Sequence, residues 1–513
     1  MRYIVTGEEM KSIDSYATVE MGLHSLMLME RAALAVTQVL IDYIVEMDIQ
    51  KPEVLIVAES GNNGGDGLAM ARMLHEYGCN VHVYQVGAIS RETAQYRQQR
   101  WILDHLDIPV KPKITEADRK EWENKRFDIV VDAIFGVGLK RDLKSPHKEI
   151  IETMNRLSGL KCAVDIPTGL DSTTGRVLGT AFQADLTVTF GSEKLGMLFG
   201  QGPIYCGDVL LADIGFPKRL YEIRKPRGYT YEPVELNRVP LRMPNGNKGT
   251  FGKVVIVAGS EAVCGAAILS GESAYRSGCG LVRIITHINN REAIQERLPE
   301  ALLQVYTTAE EAMIIIEHAQ EWADVMIVGP GIGTEKQGIY ATLQALKFEG
   351  PVIIDADAIN ILSRQPEWST IPKENRRWIL TPHMKEMERI SGIPMQDLKV
   401  TPWEHAVKFA TENHVVCVMK DATTIVAEPE SDDYYINTSG NDGMATGGSG
   451  DVLTGIIAGM LAQGMDLAEA ARIGVYIHGL AGDWVAEQRG HHSMLASDII
   501  EGVGHVLRMQ EEA

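Results

Sequence analysis

Short apolar runs alternate with helical segments along almost the whole chain. The runs of the first half are Val54–Ala58, Val81–Val86, Ile129–Phe135, Cys162–Ile166, Leu186–Phe190 and Val209–Ala212, and those of the second half are Lys253–Ala258, Leu281–Thr286, Val325–Val328, Val352–Asp355, Trp378–Thr381 and Val415–Lys420. Strands that alternate with helices predict a parallel sheet covered by helices on both faces. We therefore expect three-layer α/β/α architecture, with two further helices within residues 8–46 and three helices at the end of the chain.

The length of the chain and a change in its composition predict two domains. A single core rarely grows far beyond about 250–300 residues, and this chain has 513. Residues 216–248 contain scattered prolines and no clear apolar period, so we interpret them as a linker. The predicted domains are residues 1–220 and 221–513.

Charge and composition exclude several classes of partner. The chain has 49 Lys and Arg against 69 Asp and Glu, a formal charge of −20, which repels nucleic acids and acidic membranes. Its six cysteines form no CxxC pair, which is typical of reduced thiols. The first ten residues do not look like a secretory segment, and no apolar run approaches the roughly 20 residues that span a bilayer. A cytoplasmic homo-oligomer without nucleic-acid or membrane partners is expected.

The segment Thr446-Gly447-Gly448-Ser449-Gly450-Asp451 predicts an anion site at the start of a helix. Glycines let the backbone approach a phosphate, and the free amides of the first helical turn hold negative charge. In that turn Asp451 can accept a proton from a bound hydroxyl. A surface turn with Asp451 as a simple helix cap is an equally good interpretation of the segment alone.

Glycine-rich or polar residues also follow the predicted strands of the second half. These segments are Gly259-Ser260, Gly329-Pro330-Gly331-Ile332-Gly333, Asp355-Ala356-Asp357, Thr381-Pro382-His383-Met384-Lys385-Glu386 and Lys420-Asp421-Ala422-Thr423-Thr424, and Cys264-Gly265-Ala266-Ala267 opens a helix. Ligands bind beyond the carboxyl ends of parallel strands. Each segment alone is also explained as a turn or a helix cap. Together they predict one ligand site.

Residues 235 to 510 resemble the ADP-dependent NAD(P)H-hydrate dehydratases of the ribokinase-like fold. The resemblance rests on Gly443–Leu453 with the Gly-Pro-Gly-Ile-Gly and Thr-Pro-His-Met-Lys-Glu segments. It implies that the hydrated substrate is bound by Ala266, Ala267, Gly333, His383 and Asp451. It implies that ADP is bound by Lys420, Asp421, Ala422, Thr423, Thr424 and Gly450, with Mg²⁺ as cofactor. The choice of ADP over ATP rests on the resemblance alone.

Three strand ends of the first half carry amides and carboxylates. Val54–Ala58 leads into Gly61–Gly67, which fits neither the GxGxxG nor the Walker pattern. Asn62, Asn63 and Asp66 offer oxygen and amide groups around a glycine-rich turn, although an Asn-rich turn needs no ligand. Asp132 and Asp165 end two further strands, so carboxylates from three strand ends are expected to converge.

These segments resemble the NAD(P)H-hydrate epimerase domain, with a Rossmann-like parallel sheet, over about residues 5 to 220. By that resemblance Asn63, Asp132 and Thr168 hold K⁺. The substrate-binding residues it implies are Asn62, Asn63, Gly64, Gly65, Asp66, Gly136, Val137, Gly138, Leu139, Lys140, Arg141, Asp142 and Asp165. Asp165, with Lys140 as partner, is our candidate for proton transfer. Lys194, within Gly191–Gly196, is a further candidate to face this site, although an exposed lysine is the favoured interpretation.

The two resemblances together imply a bifunctional repair enzyme for NADHX and NADPHX. One domain would interconvert the R and S hydrates, and the other would dehydrate the S hydrate at the expense of ADP. The alternative is a ribokinase-like kinase of a small metabolite with a non-catalytic binding domain at its amino terminus. A second alternative makes the first half a non-catalytic scaffold.

Overall fold

The computed structural model describes residues 1–365, 368 and 370–512 and divides into two compact units. The first unit is Tyr3–Arg227, and the second runs from Gly228 onward and includes Met1–Arg2. Each unit contains its own parallel sheet with helices on both faces, as the alternation of strands and helices predicts. Among the described residues, every helix is too short or too polar to cross a membrane.

Seven strands of the first unit form a parallel sheet in the order β4-β3-β2-β5-β6-β7-β9, while β1 pairs in parallel with β8. The strands are β1 (Arg2–Val5), β2 (Glu53–Glu59), β3 (Asn80–Val86), β4 (Val110–Lys111), β5 (Ile129–Ala133), β6 (Leu160–Val164), β7 (Leu186–Phe190), β8 (Glu193–Lys194) and β9 (Asp208–Ala212). After β2 the chain adds β3 and β4 on one side of that strand, and from β5 onward it adds strands on the other side. Parallel sheets bind ligands at such a reversal, here between β2 and β5.

Helices cover both faces of this sheet. They are α1 (Gly7–Val19), α2 (Ser25–Glu46), α3 (Asn62–Tyr77), α4 (Ala94–His105), α5 (Glu116–Asn124), α6 (His147–Arg156), α7 (Leu195–Leu198), α8 (Gly202–Tyr205) and α9 (Lys218–Arg224). Side chains alternate along β2, so Val54 and Ile56 pack with α2 and α3 while Leu55 and Val57 pack with α5 and α6. This double burial explains why β2 is apolar throughout.

The second unit has ten strands in the order β13-β12-β11-β14-β15-β16-β17-β18-β19-β10. They are β10 (Gly228–Thr230), β11 (Lys253–Val257), β12 (Leu281–His287), β13 (Leu302–Tyr306), β14 (Val325–Val328), β15 (Val352–Ile354), β16 (Trp378–Leu380), β17 (Val416–Met419), β18 (Ile425–Ala427) and β19 (Tyr434–Ile436). Only β18 runs antiparallel to its neighbours among the described strands of this sheet. The winding direction reverses between β11 and β14, which marks a second place for a ligand.

Eleven helices are described in the second unit. They are α10 (Gly265–Arg276), α11 (Arg291–Arg297), α12 (Ala309–Gln320), α13 (Lys336–Ala345), α14 (Asp357–Leu362), α15 (Met384–Ser391), α16 (Met395–Leu398), α17 (Pro402–Asn413), α18 (Ser449–Ala462), α19 (Leu467–Arg489) and α20 (Ala496–Glu512). Helices α10 and α18 pack closely because small residues meet. A Cβ on Gly455 would lie 1.9 Å from Ser273 Oγ, and one on Gly459 would lie 2.6 Å from Ser277 Cβ.

The twelve predicted strands all exist, with ends shifted by at most a few residues. The interpretation of residues 216–248 as a linker is wrong in part, because this segment contains α9, β10 and a 3₁₀ helix over Pro233–Arg238. These elements are too short to show an apolar period. Several other strands, including β1, β4 and β8, were not predicted because they are also too short to show an apolar pattern.

Candidate active sites

A cavity of about 430 Å³ lies at the carboxyl ends of β2, β5 and β6 in the first unit. This is the point at which the winding of the sheet reverses, and residues of α1 and α2 complete the walls. Seven residues with a predicted substrate-binding role line the cavity, namely Asn62, Asn63, Asp66, Gly136, Val137, Gly138 and Asp165.

The loop after β2 depends on glycine because α3 begins directly against the strand. A Cβ on Gly64 would lie 1.6 Å from the carbonyl oxygen of Glu59, and a Cβ on Gly65 would lie 2.5 Å from Cε of Met29. Gly64 and Gly65 are themselves buried. Their role is therefore to let the start of α3 approach β2, which places the neighbouring Asn63 at the cavity.

Asp132 and Thr168 form a buried polar pair behind the cavity. The backbone amide and the hydroxyl of Thr168 both donate to Asp132 at 2.7 Å, and the amide of Ile134 donates to it at 3.1 Å. Burial nevertheless raises the pKa of Asp132 to about 6. Nδ2 of Asn63 is buried without a hydrogen-bond partner in the described structure.

Asp165 faces the cavity from a strained backbone. Its φ of 69° lies in the left-handed region, which is uncommon for residues other than glycine. A Cβ on Gly136 would lie 3.2 Å from Oδ2 of Asp165 and 3.4 Å from Oδ1 of Asn63. The structure therefore brings Asn63, Gly136 and Asp165 together, and the absence of a side chain at Gly136 leaves the space between them open.

The segment Leu139–Asp142 does not line the cavity. Leu139 is buried in the apolar core, whereas Lys140, Arg141 and Asp142 are exposed. The ammonium of Lys140 forms an ion pair with Glu8 at the surface. The structure thus does not place Lys140 beside Asp165.

Lys194 is the cation that contacts Asp165, and the expectation that Lys194 is exposed is wrong. Its side chain is 0% exposed, and Nζ donates to Oδ1 of Asp165 at 2.5 Å. Nζ also donates to Oγ1 of Thr189 at 2.7 Å and to the carbonyl of Phe190 at 3.2 Å. The pairing of β8 with β1 and the adjacent end of β7 enclose the side chain, which a local sequence pattern does not reveal.

Two further carboxyl groups line the same cavity. Burial, and then the charges of Asp165 and Asp14, raise the pKa of Asp66 well above its ordinary value. Burial and the charge of Asp165 also raise the pKa of Asp14. The cavity therefore holds two carboxyl groups with a raised pKa beside one that is paired with a lysine.

In the second unit, α18 begins at the loop that the sequence predicts as an anion site. Its N-cap is Gly448 with φ of 95°, and no side chain caps the helix. The first amides of a helix have no intrahelical partner. Ser449, Gly450 and Asp451 form the first turn of α18, and since the amide of Ser449 donates to the carbonyl of Thr446, the free donors are the amides of Gly450 and Asp451.

Asp451 lies in that first turn next to two other carboxyl groups. Burial, with added repulsion from Asp355 and Asp357, raises its pKa to about 7 although Lys420 opposes the shift. Its backbone carbonyl accepts hydrogen bonds from the hydroxyls of Ser270 and Thr454. A carboxyl with a pKa near neutrality is suited to accept a proton at physiological pH.

Lys420 lies beside the anion loop at the end of β17. Nζ donates to Oδ1 of Asp355 at 2.7 Å, and the hydroxyl of Thr381 donates to the same oxygen at 2.7 Å. A Cβ on Gly450 would lie 3.2 Å from this ammonium. Lys420 and the first turn of α18 thus present positive charge and free amides to the same space.

His383 and Glu386 form a reciprocal cap at the start of α15. Nδ1 of His383 accepts from the amides of Lys385 and Glu386, and Glu386 accepts from the amide of His383. The amide of Lys420 donates to Pro382, which joins this segment to the end of β17. Burial raises the pKa of Glu386 to about 7 and lowers that of His383. His383 is half exposed, so its ring is accessible to a ligand.

The remaining predicted residues lie along the same edge of the sheet. Ala266 and Ala267 are in the first turn of α10, and the Cβ of Ala266 lies 3.3 Å from the position of a Cβ on Gly331. The amide of Gly333 donates to Asp357 at 2.9 Å. The segment 421–424 connects β17 to β18, with Asp421 and Ala422 exposed and Thr423 and Thr424 partly buried.

No cluster of three or more His, Cys, Asp or Glu side chains suited to a metal ion occurs among residues 1–365, 368 and 370–512.

Two family models match the chain, one in each unit. The model described as YjeF-related protein N-terminus matches residues 25–196, and the one described as NAD(P)H-hydrate dehydratase matches residues 254–504. A bifunctional NAD(P)H-hydrate repair enzyme of Thermofilum pendens is 34% identical over 98% of this chain and 96% of its own length. The protein of the same name from Moorella thermoacetica is 34% identical over 99% of this chain and 97% of its own length. The chain belongs to this repair-enzyme family.

A solved structure agrees with the fold of the second unit. A ribokinase-like superfamily protein of Enterococcus faecalis is 30% identical, with a TM-score of 0.50, and covers 55% of this chain and 96% of that one. The full-length relatives favour the repair-enzyme interpretation over the alternative of a metabolite kinase with a non-catalytic first domain, because both halves of the chain match one family.

Sequence reasoning missed Asp14 and His478, and it favoured an exposed position for Lys194 over one facing the site. Asp14 and Lys194 meet Asp165 only through the tertiary structure. In the second unit, Nε2 of His478 lies 3.2 Å from Oγ of Ser449, and burial lowers the pKa of His478 to about 4. A neutral histidine in the middle of α19 therefore supports the start of α18, and no local pattern marks it.

Proposed function

We propose that the chain repairs hydrated nicotinamide nucleotides. The first unit would interconvert the R and S forms of NADHX and NADPHX, and the second would dehydrate the S form at the expense of ADP. The full-length identity of 34% to enzymes of that name carries the proposal. The cavity of the first unit and the strand ends of the second unit support a separate candidate site for each activity.

The cavity of the first unit has the groups that epimerisation needs. The hydrated ring bears a hydroxyl on C6 next to the ring nitrogen, so this carbon can lose hydroxide with help from the nitrogen lone pair. A proton must reach the departing hydroxyl, and a base must accept it when water returns from the other face. We propose Asp165 for this proton transfer, with the start of α3 and residues 136–138 binding the substrate. General acid–base catalysis contributes about 10²–10⁴-fold.

We propose that Asn63, Asp132 and Thr168 hold K⁺ in this unit. Their donors are an amide, a carboxylate and a hydroxyl, and hard cations prefer such oxygen ligands. The raised pKa of Asp132 shows that its buried charge is not fully offset by its hydrogen bonds. A cation would neutralise that charge and fix the loops after β2, β5 and β6.

In the second unit we propose Asp451 as the base of the dehydration. It would remove the proton of the C6 hydroxyl while that oxygen takes the terminal phosphoryl group of ADP. Phosphate is a better leaving group than hydroxide, and loss of a C5 proton then restores the reduced ring. Lys420 and the amides of the first turn of α18 would stabilise the phosphoryl charge.

The other predicted residues of this unit would bind the two substrates. We propose that Ala266, Ala267, Gly333 and His383 contact the hydrated nucleotide, and that segment 420–424 and Gly450 contact ADP. Mg²⁺ would enter with the phosphates of the nucleotide and add positive charge there. A cytoplasmic location and a homo-oligomeric state stay predictions.

The proposal is tested by incubating purified protein with a mixture of both hydrates and ADP, ATP or no nucleotide. Reduced nicotinamide absorbance should recover completely with ADP and not without nucleotide. Mass spectrometry should show release of phosphate and no stable phosphorylated metabolite. Protein that leaves both hydrates unchanged under all of these conditions would disprove the proposal.

Two variants separate the sites. Asp451→Asn should abolish nucleotide-dependent recovery from the S hydrate while R-to-S interconversion continues. Asp165→Asn should slow use of the R hydrate by about 10²-fold or more and leave use of the S hydrate unchanged. Loss of both activities in either variant would argue against two independent sites.

A further inference from the structure

Lys194 is a fully buried lysine whose ammonium has three oxygen partners. These are Oδ1 of Asp165, Oγ1 of Thr189 and the carbonyl of Phe190, at 2.5, 2.7 and 3.2 Å. An ammonium has three N–H donors, so each donor has one partner and the group is fixed in place. Burying such a charge costs several kcal/mol, which makes an ion pair a poor way to gain stability alone.

The ion pair leaves one oxygen of Asp165 available to the cavity. Lys194 itself does not line the cavity, but Asp165 does. Lys194 holds Oδ1 of Asp165, whereas Oδ2 is the oxygen that lies 3.2 Å from the Cβ position of Gly136 at the cavity wall. One oxygen of the carboxylate is thus anchored and the other is presented to the open space.

The ion pair also distinguishes Asp165 from its neighbours. Asp14, Asp66 and Asp165 all line the cavity, and of these three only Asp165 has an ion pair within the described part of the chain. The charge of Asp165 raises the pKa of both other carboxyl groups, which agrees with their proximity. Lys11 and Glu59 also line the cavity, but the cation that contacts Asp165 is the buried Lys194.

We infer that Lys194 is a positioning residue for epimerisation, which anchors Oδ1 of Asp165 so that Oδ2 transfers the proton. Lys194 does not touch the substrate and acts through Asp165. This inference rests on the proposed epimerase activity of the first unit and adds to it a residue with a defined part in the reaction.

The first test is Lys194→Met, which keeps most of the side-chain volume and removes the charge. We expect kcat for the R hydrate to fall about 100-fold, since a displaced general acid–base group loses most of its contribution, while KM stays nearly constant. ADP-dependent use of the S hydrate should not change, and it reports in the same sample that the second unit is intact.

Two threonines of β7 provide matched controls. Thr189→Val removes one partner of Lys194 and a long hydrogen bond of 3.4 Å to Oδ1 of Asp165, but it keeps the ion pair, so kcat for the R hydrate should fall only a few-fold. Thr187→Val makes the same change two residues earlier, where the hydroxyl donates to the carbonyl of Cys206 and does not contact Lys194. Its kcat should equal that of the unmodified protein.

Chemical rescue distinguishes positioning from structural support. Lys194→Ala leaves a space in which ethylammonium can replace the missing ammonium. Added ethylammonium should restore kcat for the R hydrate in a saturable way, and ethanol of similar size should not. This comparison also decides the case if Lys194→Met does not fold.

Three results would overturn the inference: an unchanged kcat in Lys194→Met, a change confined to KM, or equal rescue by ethanol and ethylammonium. Unmodified protein that fails to interconvert the hydrates would instead refute the proposed epimerase function. The two failures are distinguishable because the unmodified protein is measured in the same series.

Discussion

The carboxyl group of Asp451 should weaken the fold at the pH at which it works. Its pKa in the folded protein is about 7, against an ordinary value of 3.8. A carboxyl whose pKa is raised on folding stabilises the folded state only while it is protonated. That contribution is complete below about pH 4 and is lost as the pH rises through 7.

The size of the effect follows from these two values. The interval from 3.8 to about 7 corresponds to about 4 kcal/mol, because each tenfold change in an equilibrium constant is worth about 1.4 kcal/mol. Asp451→Asn keeps the shape of the side chain and cannot ionise. At pH 8 the variant should therefore be more stable than the unmodified protein by up to about 4 kcal/mol, and at pH 5 by about 1.7 kcal/mol.

Thermal unfolding at pH 5 and pH 8 measures this difference. In a unit of this size 1 kcal/mol moves Tm by roughly 2–4 °C, so the transition of the second unit should rise by roughly 8–16 °C at pH 8 and by roughly 3–7 °C at pH 5. Asp421→Asn is the matched control, since Asp421 is exposed and lies near the same site. It should leave Tm nearly unchanged at both values of pH.

The reasoning fails if Asp451→Asn raises Tm equally at pH 5 and pH 8, or if it has no larger effect than Asp421→Asn. Either result would mean that the neighbouring carboxylates and burial do not hold Asp451 in a strained charged state. If Asp451→Asn loses dehydration activity and gains stability, the ionised carboxyl group is needed for activity and destabilises the fold.

Two further predictions concern the anion loop. Gly448→Ala should reduce ADP-dependent dehydration and the stability of the fold more than Gly464→Ala does. Both glycines have φ of 95°, but only a Cβ on Gly448 would clash, since it would lie 2.5 Å from Cδ1 of Leu269. Equal losses of activity and of Tm in the two variants would contradict this prediction. Lys420→Met should raise KM for ADP and lower kcat. It should also shift the pH profile of the activity to higher pH, because Lys420 lowers the pKa of Asp451. An unchanged pH profile would contradict this prediction.

The central strands could be predicted from sequence because they are buried on both faces. Every side chain of β5 is buried and every side chain of β14 is buried, so an apolar run of the right length appears in each. Strands β8 and β10 have only two or three residues and exist because of their partners. The antiparallel strand β18 is equally short, so its direction was not predictable either.

The site residues also divide into those that a local sequence pattern reveals and those that depend on tertiary contacts. Asp165 and Asp451 stand immediately after a predicted strand or at a predicted helix start, so their position at the ligand edge was accessible from sequence. Lys140 lies in a matching motif, but whether a lysine turns inward depends on what surrounds it. Its side chain is 62% exposed and pairs with Glu8, while Lys194 supplies the buried cation.

The close contact of α10 with α18 has a mechanical consequence. Gly455 and Gly459 leave no room for the two helices to slide or separate, and Ser270 on α10 is hydrogen-bonded to the Asp451 carbonyl on α18. The starts of α10 and α18 are proposed to bind the hydrate and the nucleotide. Because the two helices are in close contact, we expect these starts to move together as one rigid body. We therefore expect any closing motion during turnover to come from segments outside this helix pair.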